Sequence, residues 1–100
     1  MARDAVVELP AGEWTRLTGN DTSAATVRNP GSTAILIVGT VGAVAPGSTE
    51  DDFLKAIELP AKAHLFGTDR FSDIWGGIVG VNNLYGFSPV ATKVYISHGD

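Results

Sequence analysis

The chain has 100 residues, of which 44% are hydrophobic, with no cysteine and a net charge of −4. That length implies one domain around one small core, and the missing thiols exclude disulfides and thiolate-held metal. The acidic balance disfavours contact with a phosphate backbone, and Arg3, Arg16, Arg28, Lys55, Lys62, Arg70 and Lys93 are scattered rather than clustered, so nucleic acid is not an expected partner.

Ala5–Leu9 reads as a first strand with Val7 and Leu9 on one face and Val6 and Glu8 on the other, closed by Pro10-Ala-Gly12. Glu13–Thr18 alternates cleanly, Trp14, Arg16 and Thr18 against Thr15 and Leu17. Gly19-Asn20-Asp21 is a turn signal, and Ala24–Asn29 is a third short strand with Val27 inward. Asn29-Pro30-Gly31-Ser32 places Pro and Gly where a type II turn wants them. It leads into Thr33–Thr40, the most apolar run, whose Ile-Leu-Ile-Val suits a strand buried on both faces.

Phe53–Leu59 fits two periods. Alternation makes it a strand, the preferred reading in so β-rich a chain. A Phe53/Ala56/Ile57 stripe, with Thr49 as cap and Glu50, Asp51 and Asp52 in the first turn, makes it a helix. Lys62–Phe66 reads as a short strand, and Phe71, Ile74 and Trp75 give one helical turn near residues 69-75. Asn83–Phe87 and Thr92–Ser97 are the last two strands, the second with Val94 and Ile96 facing one way and Lys93, Tyr95 and Ser97 the other. The expected fold is all-β: a small single-domain β-sandwich or jelly-roll-like barrel spanning 1-100.

Chemistry-bearing residues are sparse. Ser97-His98-Gly99-Asp100 brings together triad residue types, but strand neighbours point to opposite faces, so a frayed tail is expected there. His64 and His98 lack metal-ligand spacing, Glu50-Asp51-Asp52 lacks the pattern of a calcium loop, and Gly76-Gly77-Ile-Val-Gly80 lacks the Lys-Ser/Thr of a phosphate loop. No catalytic, cofactor-binding or metal residues are therefore expected, and the chain is read as non-enzymatic. No run reaches membrane-spanning length and no signal segment is evident, so synthesis in a cytoplasm is expected.

The loops carry a different signal. Val41-Gly-Ala-Val44-Ala-Pro and Gly77-Ile78-Val79-Gly-Val81 are aliphatic where polar residues are usual. Either they cover the open ends of the barrel, or Val41, Val44, Ile78, Val79 and Val81 contact another chain. Most aromatics are expected in the core, with Trp14 and Tyr95, each beside a cation on its own strand face, as surface candidates.

The order Leu9-Pro-Ala-Gly-Glu-Trp-Thr-Arg-Leu-Thr18, Thr26-Val-Arg-Asn29, Ile35-Leu-Ile-Val-Gly-Thr40, Leu84-Tyr-Gly-Phe87 and Lys93-Val-Tyr-Ile-Ser-His98 resembles small accessory virion proteins of tailed bacteriophages. The resemblance implies a β-sandwich or jelly-roll body, made in the host cytoplasm and carried on the virion. There it would serve as a capsid decoration (cement) protein or as a base for head spikes and fibres. It implies the major capsid protein or another virion protein as partner, and a homo-oligomer, with a trimer expected. The alternative is a lectin-like or adaptor module of a head spike, tail tip or fibre that attaches to host surface glycans through an exposed aromatic pair. Neither reading transfers a role to an individual residue.

Overall fold

The computed structural model describes residues 3–19, 21–47, 53–65, 70–77 and 79–98. Among these residues the strands are β1 (Arg3–Leu9), β2 (Thr15–Arg16), β3 (Thr26–Arg28), β4 (Ile35–Thr40), β5 (Ile57–Leu59), β6 (His64–Leu65), β7 (Asn83–Phe87) and β8 (Thr92–His98), with one helical turn, α1 (Phe71–Ile74). They form two four-stranded sheets, in the orders β1-β8-β3-β6 and β2-β7-β4-β5. Every ladder between them is antiparallel.

The pairing has a simple logic. β4 pairs with β5, β3 with β6, β2 with β7 and β1 with β8. The chain doubles back once between β4 and β5, and the resulting double ribbon is then rolled up. Rolling brings β3 against β8 and β4 against β7, which completes the two sheets. This is the strand order of a jelly roll, an architecture that buries one face of each sheet against the other.

Alternation decides what lies between the sheets. Val7 and Leu9 of β1, Val27 of β3, Ile35 and Ile37 of β4, Leu84 of β7, and Val94 and Ile96 of β8 meet in the core. Leu17, Leu59, Phe71, Trp75 and Val81 close its ends. β4 is apolar on both faces, and its outward Val38 is only 3% exposed. The double-sided burial expected of Thr33–Thr40 therefore holds, and something must cover the outer face of its sheet. Gly39 lets the strand fit under its neighbours: a Cβ there would lie 2.5 Å from Val81 Cγ1 and 2.7 Å from Trp75 Cε3.

Several local expectations are corrected. Phe53–Leu59 is neither all strand nor all helix: Phe53 and Leu54 are helical, and only Ile57–Leu59 pairs with β4. The Ala56 N–H donates to the Phe53 carbonyl at 3.1 Å, so the chain completes a turn before it extends. The proposed cap and acidic first turn, Thr49–Asp52, lie outside the described residues. Glu13–Thr18 yields a ladder of just Thr15–Arg16; beyond it the Leu17 N–H still donates to the Leu84 carbonyl, and Thr18 turns its hydroxyl to Asn83 and to the Leu84 N–H.

The turn at Asn29–Ser32 is not type II, since Gly31 is not among the glycines with positive φ. Asn29 Oδ1 instead accepts from the Gly31 N–H at 3.2 Å, an Asx turn. Glycine is needed at position 31 for space, because a Cβ would stand 2.8 Å from Thr92 Oγ1. The C-terminal run is not frayed as far as His98. That residue belongs to β8, is buried, and accepts the Gly19 N–H on Nε2 at 3.0 Å; Gly99 and Asp100 lie outside the described residues.

Candidate functional site

The outer face of the β2-β7-β4-β5 sheet carries Leu36 and Val38 from β4, Arg16 from β2, and Asn83, Tyr85 and Phe87 from β7, by strand alternation. Two structures cover it. At one end Trp14, Phe53 and Phe87 form an aromatic cluster. Their ring centroids lie 5.5 Å (Trp14–Phe53), 5.2 Å (Trp14–Phe87) and 5.1 Å (Phe53–Phe87) apart, in stacked, tilted and edge-on arrangements. Such offset and edge geometries suit the ring quadrupoles. All three rings are only half-buried. At the other end the segment 41–47 folds across Val38, and Trp14 holds its far side by donating its indole N–H to the Gly47 carbonyl at 3.0 Å.

The near side of that segment is held by a polar hub. Asn83 is fully buried, and its Oδ1 accepts from Arg16 Nε at 2.9 Å, Arg16 Nη2 at 2.7 Å and Thr18 Oγ1 at 2.8 Å. Its Nδ2 donates to Asp21 Oδ1 at 2.9 Å and Asn82 Oδ1 at 3.0 Å. Asn82 Oδ1 also accepts the Gly42 N–H at 2.7 Å, while the Asn82 backbone binds Thr40 and Thr22. A buried amide so fully engaged fixes the geometry of the strands and loops it joins. The Asn-Asn doublet at the start of a strand was the only trace of this hub in the sequence, and nothing there named its partners.

Between the two anchors lies a shallow groove lined by Val38, Thr40, Val41, Val44, Pro46 and Lys55, among others. Val41 is 53% exposed and Val44 67%. Leu54, next to groove-lining Lys55, is 72% exposed, and Val79, on the loop between Trp75 and Val81, is 92% exposed. The Lys55 carbonyl accepts the Trp75 indole N–H at 2.8 Å, which ties the two loops together. The segment thus folds back over its own sheet and still turns aliphatic side chains outward.

The remaining candidates divide. Val81 points inward, 8% exposed against Gly39, and is core rather than a contact residue. Ile78 lies outside the described residues. Trp14 and Tyr95 stand on different sheets, so they do not form one stacking platform. Tyr95 is half-buried on the outer face of β8, with Val6 beside it on β1 and Arg28 on β3. A hydrogen bond to the Asp4 carboxylate holds its phenol proton and raises its pKa above the ordinary tyrosine value. A Ser97 hydrogen bond and the Arg28 charge act in the opposite direction.

Among the described residues no group of three or more His, Asp or Glu side chains is placed to hold a metal ion. Compared with family models, with curated proteins and with solved structures, the chain finds no match.

Proposed function

We infer that this chain is a non-enzymatic accessory protein of a phage virion, a decoration protein that binds the capsid lattice through its apolar groove. One observation carries the reading. Val41 and Val44 are exposed on a segment that is anchored at both ends, and Leu54 is exposed next to groove-lining Lys55. A surface loop that only had to seal its sheet could present polar residues outward without loss; exposed aliphatics on a fixed frame suit contact with another chain. Fixing the frame beforehand also reduces the ordering cost of docking. The jelly roll supports the reading as an analogy of fold alone, since that architecture serves viral shells and lectins alike.

In this reading each copy contributes a contact of roughly 800 Å² per partner. Repetition over the shell, and association of the chain as a trimer, would multiply the effect through avidity. The test is co-sedimentation with empty heads that lack this chain. Binding, with a gain in the temperature at which the heads rupture, is the expected result. Val44→Asp with Leu54→Asp should abolish it while leaving the thermal unfolding of the free protein nearly unchanged. Failure of the wild-type chain to sediment with the heads ends the proposal, and light scattering tests the trimer directly against the 10.4 kDa chain mass.

A further inference from the structure

β1 is an edge strand, paired with β8 on one side over seven residues and with no described strand on the other. The hydrogen-bond phase of its sheet shows which backbone groups that edge presents. The Asn29 N–H donates to the Ala63 carbonyl and the Asn29 carbonyl accepts from the Lys62 N–H. β3 therefore turns the polar groups of Asn29 and Val27 toward β6, and those of Thr26 and Arg28 toward β8. Thr26–Ser97 and Arg28–Tyr95 are then the hydrogen-bonded pairs of that ladder. By alternation Val94 and Ile96 bond to β1, where their partners are Val7 and Ala5. The N–H and C=O groups of Asp4, Val6 and Glu8 are left pointing away from the sheet.

The side chains of the same three residues are exposed on the outer face, with Val6 62% accessible. The edge thus offers three donors and three acceptors beneath an acid–aliphatic–acid row, its two acidic residues about 13 Å apart along the strand at roughly 3.3 Å per residue. A second copy is a poor occupant. Two β1 strands paired about Val6 would set Asp4 of each directly against Glu8 of the other, and like charges facing across a ladder repel. Tyr95 bonds the Asp4 carboxylate and Lys93 stands opposite Glu8, both from the β8 side, and Arg28 lies two strands in; the flank where a new strand would sit is the other side of the two acids.

We propose that β1 is a docking edge for an extended segment of a partner protein that carries Lys or Arg at two positions four residues apart, with an aliphatic residue midway. The segment adds to the sheet as a further strand: its backbone bonds to Asp4, Val6 and Glu8, its cations face the two carboxylates, and its aliphatic side chain covers Val6. The charges that turn away a copy of the same chain select a partner of opposite sign. This surface lies on the opposite sheet from the apolar groove, and either can operate without the other.

The probe is a blocked peptide with the core Lys-Thr-Val-Thr-Lys, titrated to about 1 mM into the full chain. The control is its Glu-Thr-Val-Thr-Glu counterpart. Amide hydrogen exchange should slow at Asp4, Val6 and Glu8 with the basic peptide, and the acidic one should bind at least about tenfold more weakly. Asp4→Lys with Glu8→Lys should reverse the preference. Val6→Pro removes an outward N–H that the β1–β8 ladder does not use, so the fold should survive and the peptide should no longer bind. No slowing at those three amides, or equal binding of both peptides, overturns the proposal and leaves Asp4 and Glu8 as guards of an edge that nothing occupies.

Discussion

The two outer faces of this sandwich solve the same problem in opposite ways. The β1-β8-β3-β6 sheet turns Asp4, Glu8, Arg28 and Lys93 to solvent, all of them exposed. The β2-β7-β4-β5 sheet places Val38, Asn83 and Tyr85 on its outer face, all of them buried, and a segment latched at Trp14 and at Asn82 lies across Val38. The first face needs no cover because its side chains are solvated. The second is a smaller second core, with a polar hub at one end and an aromatic cluster at the other. The loop that covers it is held at both ends, and its exposed valines are part of a framed site.

Substitutions on the two faces should therefore differ sharply. The largest effect is expected for Asn83→Ala, which takes the shared acceptor from Arg16 and Thr18 and leaves a buried vacancy, and should cost about 3 kcal/mol in urea unfolding. If it costs no more than a surface change, the hub does not hold the covered face together. On the inner side of the same sheet, Gly39→Ala forces a Cβ into Trp75 and Val81 and should cost about 2 kcal/mol by the same measurement.

Trp14→Ala removes two ring contacts and the latch on Gly47, and should cost about 1 kcal/mol. Its clearer signature is faster amide exchange confined to residues 41–47, with the core strands unaffected. On the open face, Lys93→Ser should move stability by no more than about 0.5 kcal/mol.

The smallest effect separates the faces by pH. The Tyr95 pKa is raised in the folded protein, so the folded state holds that proton more tightly than the unfolded chain does. The stabilisation is complete below the unfolded tyrosine pKa and is lost as pH climbs through the higher folded value. Asp4→Asn should lower the Tyr95 midpoint, followed as phenolate absorbance against a Tyr95→Phe reference. An unchanged midpoint would mean that the Asp4 bond is not what raises it.

Strands with regular alternation were legible from local pattern, and Asn83–Phe87 was found with the same bounds. Where side chains replace the ladder, local pattern failed. Beyond the end of β2, Thr18 bonds Asn83, 65 residues away, and no window around Thr18 contains that partner. The same holds at Asn29, whose Nδ2 donates to the Thr33, Leu59 and Pro60 carbonyls and whose Oδ1 sets the Gly31 turn. Phe53–Leu59 fitted both periods because it obeys both in succession. The exposed Val41, Val44 and Val79 were readable as apolar loops, whereas the Trp14–Phe53–Phe87 cluster was not, since parity alone does not say which outer face becomes covered, and Val81 was not, since its inward turn depends on the space at Gly39, far away in the chain.

By itself the sequence determined an all-β chain without thiols, a doubly apolar central strand and two aliphatic loops, because these follow from composition and from the two-residue period of a strand. The rolling of the doubled ribbon, the choice of which sheet acquires a cover, the hub at Asn83 and the edge position of β1 were decided only in the tertiary structure. Each depends on groups far apart in the chain meeting across a sheet, and a local pattern holds no record of such a meeting.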